Sequence, residues 1–158
     1  MKLTHSLLAM SIAASVVPAA AQCTGTQLNN GQLTNIFTGG DKLVCGRPGT
    51  SYPGSAADRW QEEHLGGPGI GDLFDFKLGN GHPIDPRKKV GVWFISRVGE
   101  ALLVHDYAFT GAPQYQWRVY GPTTNNPGVS VYTFCTTANV EHVRAHVRTT
   151  GAGCGSYP

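Results

Sequence analysis

Apart from Leu7 to Val17, the chain has no long apolar run. It has no surplus of either charge, no Cys-x-x-Cys and no Gly-x-Ser-x-Gly. Each absence excludes something. Without a run of ~20 apolar residues there is no helical membrane span. Without Cys-x-x-Cys, neither a thioredoxin-type redox site nor a c-type haem is indicated. Without the Gly-x-Ser-x-Gly turn, the strand-to-helix elbow that presents a serine nucleophile is missing. Removing Lys2 leaves 11 basic residues against 10 acidic ones, a net charge of about +1. That balance argues against a general nucleic-acid or membrane-surface binder.

The first residues read as an export signal. Lys2 is a positive n-region, Leu7 to Val17 a short h-region, and Pro18-Ala19-Ala20-Ala21 a cleavage pattern. The expected mature chain starts at Gln22, and its destination is periplasmic or extracellular. Cys23 raises lipoprotein processing as an alternative, but Gln22 stands where that route needs a small residue. Removing 21 of the 158 residues leaves 137, the size of one domain. Residues 1–21 therefore form a signal peptide and 22–158 a single β-rich domain.

Cysteines stand at 23, 45, 135 and 154. An even count in an exported chain reads as disulfides, and the spacing lacks the paired knuckles of a structural zinc site. Of three pairings we favour Cys45–Cys135 with Cys23–Cys154. The first would tie the start of the core to the end of the meander and contribute up to ~4 kcal/mol.

Residues Val90 to Cys135 carry the fold signal. VGVWFISR, LLVHDYAFT, QYQWRVYG and VSVYTFC are rich in Val, Tyr, Phe, Trp and Thr, with turn residues between. That is an antiparallel meander. LFDFK before it and VEHVRAHVR after it read as two more strands. Lys42 to Cys45 is a short strand, Gln22 to Asn35 an irregular lead-in, and Gly121 to Gly128 a turn. Asp58 to Leu65 (DRWQEEHL) reads as the one helix, capped by Ser55 or Asp58 and ended by Gly66-Gly67; an extended reading stays open. The expected fold is mainly β: a small antiparallel meander or barrel of about six strands with one short helix, stapled by disulfides.

Gly91-Val92-Trp93 opening a meander resembles the first strand of lipocalin-like and avidin-like small barrels. The series DRWQEEH, LFDFKLG, VGVW and VYTFC, within residues 43 to 135, is similar to small exported bacterial proteins of uncharacterised function. The resemblance implies a small β-barrel. It carries over no catalytic residue and no known ligand.

Several constellations can carry chemistry. His142, Arg144, His146 and Arg148 recur at a two-residue period on one strand face, and Arg118 can join them from another strand. Arginine forks suit a carboxylate, phosphate or sulfated sugar, and the histidines would strengthen such a site as pH falls. Trp117 and Tyr132 are the nearby aromatics. The bland alternative is a solvated strand face, with Glu141 pointing the other way. On a strand, His142 and His146 stand roughly 13 Å apart, too far to share a metal ion. Asp58, Glu62, Glu63 and His64 form a second cluster, able to act as acid and base or as metal ligands, or simply as a solvated acidic helix face. His82, Asp85 and Arg87 share a Pro-bounded loop. His105 sits mid-strand, where burial would demand a partner. We assign no catalytic residue, no metal and no cofactor.

The leading expectation is an exported binding protein that takes a small anionic or apolar ligand at Arg118, His142, Arg144, His146, Arg148, Trp117 and Tyr132. One alternative is an inhibitor or other protein-interaction module, inserting residues 47–54 or 79–89 into a partner protein. The other is a hydrolase using His64 or His82 with nearby carboxylates.

Overall fold

A computed structural model describes residues 21–40, 42–48, 60–67, 69–75, 88–107, 114–126 and 129–149. The predicted signal segment before Ala21, Asp58, His82, Asp85, Arg87 and Cys154 lie outside them, as does most of both predicted partner-binding loops.

Among the described residues one helix, α1 (Asn30–Phe37), precedes eight strands: β1 (Lys42–Pro48), β2 (Trp60–Leu65), β3 (Gly71–Asp75), β4 (Lys88–Ile95), β5 (Leu103–Asp106), β6 (Gln114–Asn126), β7 (Val129–Cys135) and β8 (Glu141–Thr149). Each strand pairs antiparallel with the next, and β8 closes on β1. The barrel is thus complete, with eight strands where about six were expected. Closure removes the edges that an open meander would leave unpaired. No helix among the described residues is long and apolar enough to cross a membrane.

The register explains the alternation seen in the sequence. Paired residues share a face, and one continuous set points inward: Val44 opposite Glu62, His64 opposite Leu73, Trp93 opposite His105, Leu103 opposite Trp117, Val119 opposite Phe134, Phe134 opposite Val143. Gly71 lies opposite Trp93, where a Cβ would collide with the indole. That glycine lets the largest core side chain lie flat, and the Trp93 Nε1–H donates to the Leu65 carbonyl at 3.2 Å.

Residues 60–65 are strand rather than helix. Glu62 and His64 alternate into the barrel, a strand period that polar residues conceal from a search for apolar alternation. The helix comes earlier, starting inside the expected lead-in and running past its end at Asn35. Asn29 caps it, its side chain accepting from the Gln32 N–H at 3.0 Å while Gln32 accepts from the Asn29 N–H at 2.9 Å. This reciprocal pair satisfies two backbone donors that a helix start leaves open. Leu33 and Phe37, four apart on one face, are fully buried in the barrel core. Phe37 reaches His64, Trp93 and Phe134, with ring centroids 5.4, 6.5 and 6.1 Å away. The helix thereby inserts its apolar face into the barrel.

The expected disulfides are replaced. Cys23 bonds Cys135, with Cα atoms 6.4 Å apart. The N-terminal segment carries Cys23 there: Gln22 bridges Val140, and the Cys23 N–H donates to the Asn139 carbonyl at 3.2 Å. Neither Cys45–Cys135 nor Cys23–Cys154 can then form. Cys45, opposite His146 on β8, is itself disulfide-bonded. The predicted turn 121–128 is shorter than expected, because β6 runs on to Asn126.

Candidate functional site

The inward set is apolar except along one line. β2 contributes Glu62 and His64, and β5 contributes His105, each no more than 2% exposed. The curl of β2 through β5 brings their donor atoms within 4.8 Å of one another. Glu62 Oε2 lies 3.1 Å from His105 Nδ1. The Tyr107 hydroxyl donates to Glu62 Oε1 and lies 3.5 Å from His105 Nδ1. The Trp117 indole N–H reaches the same Nδ1 at 3.3 Å. His64 stacks on Trp93, centroids 5.0 Å apart, and meets His105 edge-on at 4.9 Å. Both of its ring nitrogens lack a hydrogen-bond partner. Burial, and secondarily the neighbouring His105, hold the His64 imidazole well below its usual pKa, so it is neutral with a lone pair exposed to the interior.

The aromatic line continues outward. His105 adjoins Tyr107 and Trp117, and Trp117 in turn stacks with two outer rings. Tyr115 lies parallel to it at 5.6 Å, and His142 stacks with it at 4.9 Å. Trp117 is 5% exposed, whereas Tyr115 is 40% exposed and His142 faces solvent. These three rings, with Gln114, Gln116, Thr136 and Thr137, line a pocket of about 300 Å³. Its amides are held in a chain: Gln116 donates to Gln114 at 3.2 Å, and Gln114 to Asp106 at 3.3 Å. Apart from His142, no lining residue is ionisable below the tyrosine range.

Of the seven residues assigned to ligand binding, the structure brings Trp117 and His142 together here. The basic ladder is divided. Arg118 is held by Glu100, Nε to Oε1 at 2.5 Å and Nη2 to Oε2 at 3.0 Å, and this fork lowers the Glu100 pKa. Arg144 is held by Glu141 at 2.7 Å, so Glu141 does not point away as expected. His146 faces outward, opposite Cys45 and Val131, yet is 4% exposed. Burial, then the charge of Arg148, lower its pKa to about 4. It is neutral near pH 7 and adds nothing to a positive face there. Arg148 is exposed, and Tyr132 is half-buried against the core. Of the acidic cluster, Glu63 lies on the opposite face from Glu62 and His64, opposite Leu43 and Phe74.

Sequence reasoning named Glu62, His64 and His105 but not their meeting, because His105 lies three strands away. It counted Tyr115 among the aromatics but did not assign it to the site, although its two-residue spacing from Trp117 was the available signal. Comparisons with protein-family models, curated proteins and solved structures returned no match.

Proposed function

We propose that this protein is an exported binding barrel that takes a neutral, ring-bearing small molecule of the sugar class at its mouth. The observation that carries the reading is the Tyr115–Trp117–His142 stack, set among amide and hydroxyl side chains. Flat aromatic surface accepts the apolar face of a ring. Uncharged donors and acceptors suit its hydroxyls. An eight-stranded barrel is about the size that holds one small ligand, and the pocket volume falls at the small end of ligand sites. The anionic-ligand reading has less support, since two of its arginines already engage carboxylates and His146 is buried and neutral.

The test is calorimetric titration with neutral mono- and oligosaccharides beside their sulfated counterparts. Neutral sugars should bind, and Tyr115→Ala should weaken binding up to about tenfold, the worth of one stacked ring. Binding only by sulfated sugars, abolished by Arg144→Ala with Arg148→Ala, would replace this reading with the anionic one.

A further inference from the structure

We propose that Glu62, His64 and His105 form a metal centre inside the barrel, for a divalent first-row transition ion of the zinc or copper kind. The centre stands on other residues than the mouth pocket, although the Trp117 indole N–H of that pocket reaches His105 Nδ1 at 3.3 Å.

Four observations carry it. First, the donors are already assembled. Glu62 Oε2 and His105 Nδ1 lie 3.1 Å apart, and the three residues' donor atoms fall within 4.8 Å of one another. Ligand atoms ~2.1 Å from a shared ion stand roughly 3 to 3.5 Å apart, so small side-chain rotations close the set. Second, His64 is fully buried with neither ring nitrogen hydrogen-bonded. A structural core histidine is expected to have a partner for at least one nitrogen. Its ring is fixed by the stack on Trp93, so its lone pair has a defined direction. Third, the buried Glu62 carboxyl meets a tyrosine hydroxyl and an imidazole, neither of them a permanent cation. A buried carboxylate is costly unless positive charge matches it, and a divalent ion would supply that charge. Fourth, two imidazole nitrogens and one carboxylate oxygen suit zinc, copper, iron or nickel and not calcium or magnesium. Tyr107 occupies the other carboxylate oxygen, which turns Oε2 toward the centre in the way outer hydrogen bonds orient metal ligands.

The experiment uses the mature, disulfide-intact chain, stripped with chelator and titrated with Zn2+ and separately with Cu2+. We expect one equivalent of either ion bound. The copper complex should show two imidazole nitrogens in its electron spin echo spectrum. His64→Phe keeps a ring against Trp93 and removes the donors; it should lose at least a hundredfold in affinity and leave one imidazole in any residual signal. Glu62→Gln should also weaken binding while keeping the hydrogen bond from Tyr107. Should His64→Phe fail to fold, the imidazole count on the unaltered protein still decides. No stoichiometric ion, or fewer than two imidazoles, would overturn the proposal. So would a folded His64→Phe protein that binds as before, which would move the ion to an exposed histidine such as His142.

Discussion

Acidification should destabilise this protein well above the pH at which ordinary carboxylates protonate. The cause is His146. It is buried on the outer face of β8 between Cys45 of β1 and Val131 of β7, with Arg148 two residues along. Its pKa is about 4 in the folded chain, against 6.5 for an ordinary histidine. Between those values the unfolded chain binds a proton that the native chain refuses. Native stability from this group is therefore complete above pH 6.5, declines as pH falls from 6.5 toward 4, and levels off below. At about 1.4 kcal/mol for each unit of pKa difference, the full loss is about 3 kcal/mol. His64 is depressed in the same direction by burial, so the total fall is at least as large. Glu100, whose pKa is lowered by Arg118, adds its own loss only below pH 4.5. In urea unfolding across this range His146 alone should contribute a slope of up to about 1.4 kcal/mol per pH unit near its centre, with any share from His64 added to it. His146→Gln should remove that share of the slope. Stability that stays flat between pH 6.5 and 4.5, or a His146→Gln variant with an undiminished slope, would refute the reasoning.

Three further outcomes follow from the packing. Cys23→Ala with Cys135→Ala should lower stability by up to about 5 kcal/mol in urea unfolding, because the bond closes a loop of 112 residues. Phe37→Ala should cost about 3 to 5 kcal/mol, since the ring is fully buried against His64, Trp93 and Phe134; a loss under ~1 kcal/mol would show that the helix does not plug the barrel. Gly71→Ala should cost about 1 to 3 kcal/mol and shift Trp93 fluorescence, because the added methyl meets the indole and the Leu65 carbonyl.

The meander was legible because its strands alternate apolar with polar residues and carry β-branched and aromatic side chains. β5 and β7 fall within the predicted runs, while β4 begins two residues before its run, at Lys88, and β8 ends one residue beyond its run, at Thr149. β2 was misjudged because its inward residues are Glu62 and His64, and polarity at an inward position removes the very signal that marks a strand. Helix α1 was missed because Asn, Gly and Thr suggest a loop; the Asn29–Gln32 capping box, followed by Leu33 and Phe37, was the readable signal. The two-residue period of β8 gave the right facing for His146 but not its burial, which depends on what covers the outer face. Disulfide pairing depends on where the N-terminal segment lies, and no local pattern encodes that. His142 was picked out by the two-residue period of the last strand, and Trp117 as a nearby aromatic. Their stacking needed the β7–β8 register, in particular the irregularity between Phe134 and Cys135 that sets the start of β8.

The three tryptophans, Trp60, Trp93 and Trp117, give three indole N–H signals in a nitrogen-15 NMR spectrum. Titrating the protein with neutral sugars while following those signals tests the mouth site most directly. Movement of the Trp117 signal in step with ligand concentration, with Trp93 unmoved, is the predicted result. A Trp117 signal that holds still at saturating sugar, or moves only with sulfated ligands, would contradict the account.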